Sequence, residues 1–151
     1  MTARYFVDSN ILIYLYDHSF PEKRAKAIET IGLLIRHPDS MVISTQVLSE
    51  LGNVATRKLK ISPPDVEVEV ERFSQFVAFG TDIELVLESL HLMGVASISF
   101  FDAMIVASAK RAHCKVLLTE DLNDGQVIEG VKIVNPLKLE NASFLAASLE
   151  G

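Results

Sequence analysis

Four carboxylates in this chain fall where a polar group needs a reason. Asp8 closes the apolar run Tyr5, Phe6, Val7, and Asp121 follows Val116, Leu117 and Leu118 in the same relation. Glu120 stands beside Asp121, and Asp124 follows shortly after. Glu50 is set among Val47, Leu51 and Val54, and Asp102 begins a stripe continued by Ile105, Val106 and Ala109. An acid on an apolar face must be partnered or line a cavity. Each has an ordinary structural explanation: a turn for Asp8, or, for Asp102, a first-turn acid behind a Ser99 cap, favoured by about 0.3–1 kcal/mol. Gathered together they mean more. Clustered negative charges repel unless a divalent cation sits among them. All-oxygen ligands select Mg²⁺ or Mn²⁺ over zinc, and such an ion activates water, orients a phosphodiester and stabilises the departing oxygen.

Other chemistries fit poorly. A lone cysteine, Cys114, excludes an internal disulfide, fits a reducing cytoplasm, and reads as a small buried residue rather than a nucleophile. The histidines His18, His37, His91 and His113 are scattered without zinc-ligand spacing.

The acids need a frame to hold them. Arg4 to Asp8 reads as a short strand, followed by a helix from Ile11 with Asn10 as its cap. Pro21 to Arg36 reads as a helix with Ala25, Ile28, Ile31 and Ile35 on one face. Met41 to Ile43 is a second strand, and Thr45 to Lys58 a helix burying Val47, Leu48, Leu51 and Val54/Ala55. In PPDVEVEVERFSQFV the Val–Glu alternation suggests a strand, but Val66, Val70, Phe73 and Val77 keep helical spacing over a longer window, which predicts a helix opened by Pro63. Phe76 to Phe79 is a candidate third strand. Thr81 to Met93 is a helix with a Thr81/Glu84 capping box and Ile83, Val86, Leu87 and Leu90 on one face. Ser99 to His113 is another helix, Lys115 to Thr119 a fourth strand and Val131 to Val134 a fifth. Strands alternating with helices predict an α/β domain with a mainly parallel sheet, whose ligands bind beyond the carboxyl ends of the strands. No repeat, linker or low-complexity segment divides residues 1–151, and residues 136–151 form a semi-apolar tail.

The chain has 151 residues, 49% of them hydrophobic, enough for one domain with a sizeable core. No apolar run reaches the roughly 20 residues of a membrane span, and Arg4 and Asp8 interrupt any signal-peptide core. These features predict a cytoplasmic protein without a membrane association. The net charge of −6 is unfavourable for a phosphate-binding surface, although a pocket of carboxylates would account for part of it.

The stretches VDSNILIYLYD, STQVLSELGNV, SFFDAMIVASA and LLTEDLNDG together resemble the four motifs of PIN-domain ribonucleases, especially the compact VapC-type toxins of toxin–antitoxin pairs. The likeness runs from about residue 4 to residue 136. It implies a three-layer α/β/α fold with a five-stranded parallel sheet in the order 3-2-1-4-5. It also implies that Asp8, Glu50, Asp102 and Asp121 form the acidic cluster that holds Mg²⁺ or Mn²⁺, supported by Asn10 and Thr119. Asp124 is an outer contributor in this reading, and Ser9 stands where many relatives carry Thr. Metal-assisted RNA hydrolysis, a small cognate antitoxin and a homodimer are the further implications.

Cations for an RNA substrate are Arg57, Lys58 and Lys60 at the end of the Glu50 helix, with Lys110, Arg111 and Lys115 as a second group. Both groups also suit helix C-termini. Lys23, Arg24 and Lys26 read as a solvated face, and Tyr14 and Tyr16 as packing residues rather than base-stacking ones. Two rival functions remain at this level. One is a phosphoryl-transfer hydrolase with Asp8 as nucleophile, for which Asn10 stands where such sites need a second acid. The other is a non-catalytic module that binds RNA or an antitoxin.

Overall fold

The computed structural model describes residues 3–150. Its elements run β1 (Tyr5–Val7), α1 (Ser9–Tyr14), α2 (Pro21–Ile35), β2 (Met41–Val42), α3 (Thr45–Arg57), α4 (Pro63–Phe73), α5 (Ile83–Ala96), α6 (Phe100–Arg111), β3 (Val116–Leu118), β4 (Val127–Ile128), β5 (Val131–Val134) and α7 (Ala142–Glu150). The sheet order is β2-β1-β3-β5-β4. β1 pairs in parallel with β2 and β3, and β3 with β5, so β1 lies inside the sheet. Tyr5, Phe6 and Val7 are all buried, as a strand covered on both faces requires.

The expected α/β class and parallel ladder are present, with two differences of detail. The predicted third strand shrinks to one parallel bridge, Ile43 with Val77, because Ser74–Phe76 tightens into a 3₁₀ turn just before it. That bridge keeps the predicted place beside the second strand. The sheet also gains β4, which pairs antiparallel with β5. Glu129 and Gly130 join the two with φ of 46° and 88°, the doubly left-handed geometry of a two-residue hairpin turn.

Several helix details also differ from expectation. Asp8, not Asn10, caps α1, accepting from the Ser9 amide. Asp82, not Thr81, caps α5, accepting from the Leu85 amide. α2 buries Ala27, Thr30, Ile31 and Leu34, leaving Ile28 and Ile35 exposed. α5 buries Leu85, Ser89 and Leu92, leaving Ile83, Leu87 and Leu90 exposed. The tail is ordered into α7: Leu145 enters the core, and the Tyr5 and Ser148 hydroxyls hydrogen-bond each other. No single helix among the described residues is long and apolar enough to cross a membrane.

Candidate active site

Burial of β1 up to Val7 delivers Asp8 to the carboxyl edge of the sheet, where α1 begins. β3 delivers Thr119 and Asp121 beside it, with the Asp8 amide bonded to the Leu118 carbonyl at 3.0 Å. Asp8 is only 5% exposed, and its two oxygens are used differently. Oδ1 accepts from the Ser9 amide at 2.7 Å, which is the α1 cap, and Oδ2 accepts from the Thr119 hydroxyl at 2.8 Å. The Asn10 amide sits between the strand ends, donating to Asp8 Oδ2 at 3.3 Å, Thr119 Oγ1 at 3.1 Å and Asp121 Oδ2 at 3.0 Å. Its carbonyl accepts from the Glu120 amide at 3.3 Å, and Thr119 Oγ1 accepts from the Asp121 amide at 3.1 Å. Asn10 and Thr119 therefore fix where Asp8 and Asp121 stand.

Two helices complete the cluster. Glu50 projects from α3 one turn after Gln46, and Asp102 from the first turn of α6, where the Ser99 hydroxyl accepts from the Asp102 amide at 3.3 Å. Asp8 and Glu50 each feel the charges of Asp102 and Asp121, so the four expected acids lie within electrostatic reach of one another at this edge of the sheet. Burial raises the Asp8 carboxyl to about 6, against the Thr119 and Ser9 hydrogen bonds, and the neighbouring acids push the same way. Burial likewise raises Glu50 to about 7, with Asp8 the strongest of its charged neighbours and Ser9 opposing. Glu50 Oε1 is buried without a hydrogen-bond partner.

The loop after β3 offers three acids, and their partners separate them. Glu120 accepts from the Tyr14 hydroxyl and from Lys23 Nζ, the latter at 3.1 Å. Lys23 is thus tied to the loop rather than simply solvated. Asp124, expected near the cluster, turns to the C-terminal segment: it accepts from the Asn135 amide at 2.8 Å and the Asn141 side chain at 3.1 Å, with Lys138 at 3.6 Å. Only Asp121 remains directed to Asp8 through Asn10 and Thr119. Cys114 is buried, and burial pushes its thiol up to about 12, which suits a packing residue.

The candidate cations also divide. Lys110 pairs with Glu88 and Glu129, and Arg111 forks onto Asp82 with both distances 2.9 Å. Arg57, Lys58 and Lys60 are exposed and make no salt bridge among the described residues. Arg57 lies two helical turns from Glu50 on the same face of α3, about 10 Å along the axis.

Sequence reasoning missed two participants. The Ser9 hydroxyl lies between Asp8 and Glu50, and the Gln46 side-chain amide donates to the Phe101 carbonyl at 3.3 Å, joining α3 to α6 just before Asp102. Gln46 precedes Glu50 by one helical turn, which was the available signal.

A family model for the PIN domain matches residues 5–126. The chain belongs to the PIN domain family. No curated protein matches it by sequence. Among solved structures, this PIN domain is similar to a toxin–antitoxin complex from Klebsiella pneumoniae, with a TM-score of 0.63 and 21% identity over 87% of this chain and 96% of that one. It is also similar to the sarcin–ricin loop cleaving toxin VapC20 of Mycobacterium tuberculosis, with a TM-score of 0.59 and 18% identity over 78% and 91% of the two chains. VapBC2 from Rickettsia felis, bound to a DNA fragment from their promoter, gives 0.61 and 18% over 87% and 97%. These identities establish a shared fold.

Among the described residues of this PIN domain, no three His, Cys, Asp or Glu side chains are placed as a ready coordination shell. Like charges without a counter-ion keep apart. The donor set nevertheless fits a hard divalent cation, for the acids are all oxygen donors, two are raised by burial without a cationic neighbour, and one buried oxygen of Glu50 has no partner.

Proposed function

We propose that this PIN domain is a Mg²⁺- or Mn²⁺-dependent endoribonuclease, acting in the cytoplasm as the toxin of a toxin–antitoxin pair. The observation that carries the reading is that Asp8, Glu50, Asp102 and Asp121 act electrostatically on one another, with no Lys or Arg among the charges that shift Asp8 and Glu50. In this reading Asp8, Asp102, Asp121 and Glu50 hold the ion, which supplies a polarised phosphodiester and an activated water when bound. Asp8 is the inner fixed point, because Ser9, Thr119 and Asn10 restrain both of its oxygens. Asn10 holds Asp121 in register with Asp8, and Ser9 orients Glu50. Arg57, Lys58 and Lys60 receive the phosphates of the RNA strand beyond Glu50.

An antitoxin partner is supported by the company this fold keeps, since two of the similar structures are toxin–antitoxin complexes. A groove of about 800 Å³, lined by apolar residues such as Leu15, Ile28 and Phe73 and by the charged Arg4, Asp39, Glu69 and Arg72, is a mixed surface suited to such a partner. The exposed stripe Ile83, Leu87 and Leu90 on α5, up to 78% exposed at Ile83, suits burial against a second copy in a homodimer.

The test is cleavage of RNA in Mg²⁺ or Mn²⁺ by the wild type, Asp8→Asn and Asp102→Asn, with circular dichroism to verify folding. Loss of cleavage in both folded variants is expected, and full activity in either contradicts the assignment. Nothing favours the phosphoryl-transfer alternative, because Asn10 stands where such sites need a second acid and its amide is spent on Asp8, Thr119 and Asp121. The presence of all four acids argues against a non-catalytic module.

A further inference from the structure

Phe101 precedes Asp102 in α6, and it is 63% exposed. It is the most exposed aromatic ring among the described residues. The next, Phe20 at 44%, packs edge-on to Tyr14 with Lys23 Nζ 5.5 Å from its centroid. Phe101 has no such cover. Its one aromatic neighbour is Phe100, which meets it edge to face at 5.2 Å and 83°. Phe100 is half-buried against the core, and Gln46 clamps the Phe101 carbonyl at 3.3 Å. The ring is thus carried on fixed backbone, one residue from an acid of the cluster, with much of its surface open to solvent.

We propose that Phe101 is a stacking platform for an unpaired nucleobase of the RNA next to the cleaved phosphate. The inference rests on the ribonuclease reading above and adds the subsite that grips the base. An acidic protein of net charge −6 gains little from general attraction to phosphates, and two of its cations near α6, Lys110 and Arg111, are already paired. Single-stranded RNA is held by aromatic faces as well as by charge, and a stacked base tolerates any sequence because every base has a π-face. Apolar burial alone would be served as well by leucine; stacking needs a ring.

The probe is a set of ten-nucleotide single-stranded RNAs with 2-aminopurine at one position in turn, mixed with protein in chelator so that no turnover occurs. The wild type is expected to quench the fluorophore at one or two neighbouring positions. Phe101→Ala and Phe101→Leu lose the quench and weaken binding about tenfold, within the range set by one stacked base, whereas Phe101→Trp retains both. In Mg²⁺, Phe101→Leu is expected to raise KM about tenfold with kcat little changed. Leucine behaving as phenylalanine overturns the proposal. So does an unchanged quench in Phe101→Ala accompanied by a shift from dimer to monomer in light scattering, which would make the ring a subunit contact. The quench is read without catalysis and therefore judges Phe101 even where the wild type cleaves no RNA in Mg²⁺ or Mn²⁺, a result that would remove only the ribonuclease reading.

Discussion

The same residue type does opposite things in two regions of this molecule. At the candidate site, Asp8 is buried and Glu50 half-buried within reach of the charges of Asp102 and Asp121, and their carboxyls are raised to about 6 and about 7. Outside it, acids are held below their usual range. The Arg111 fork lowers Asp82, and Lys110 lowers Glu129. For Asp124, partial burial pulls upward but the Asn135 amide, Asn141 and Lys138 prevail. What separates the regions is the partner. Surface acids join α5 to α6 or anchor the C-terminal segment through cations and amides. The acids of the candidate site have neutral donors and each other, an arrangement that favours binding a cation.

That contrast can be broken by exchanging roles. The largest effect is expected at the candidate site: Asp8→Asn or Asp102→Asn should lower divalent-dependent cleavage by about a hundred- to a thousand-fold, read from RNA cleavage time courses, with the circular dichroism spectrum unchanged. Next comes the neighbouring pair. Asp121→Asn should lower the rate roughly 10- to 100-fold, whereas Glu120→Gln, whose partners are Tyr14 and Lys23, should change it only a few-fold. Equal losses in the two would erase the distinction drawn within this loop. Smallest for activity is Asp124→Ala, which should leave cleavage near wild type but cost about 1–2 kcal/mol in urea unfolding, because it strands the Asn135 amide and the Asn141 side chain.

Much of this was legible in the sequence because short buried strands leave few places for an acid. Asp8 and Asp121 each follow an apolar triplet, and parallel strands must deliver both to the same edge. The helix faces were harder. α5 carries apolar residues nearly all round, so spacing alone does not tell Leu85 and Leu92, which are buried, from Ile83 and Leu87, which are exposed. α2 has the same ambiguity, and Ile28 and Ile35 instead border the open groove. β4 is only Val127 and Ile128, and its turn puts Glu129 at positive φ, a conformation that a glutamate rarely adopts. Asn10 looked like a cap; a helix start two residues earlier gave that role to Asp8 and freed Asn10 to bridge the strand ends.

The most direct test of the central claim is the melting temperature against pH, with and without Mn²⁺. Asp8 binds its proton more tightly folded, near 6, than unfolded, near 3.8. The folded state therefore holds the extra proton between those values, and the associated stability is full below about pH 4 and lost as pH rises through 6, with Glu50 extending the loss through about 7. For Asp8 alone this is roughly 3 kcal/mol, or several degrees in a chain of this size. The wild type in chelator should melt progressively lower from about pH 4 to about pH 7 and level off above, the window those values set, and Mn²⁺ should restore the loss. Asp8→Asn should show a shallower decline and little response to Mn²⁺. A flat wild-type profile, or equal stabilisation of both proteins by Mn²⁺, would contradict a cation site built around Asp8.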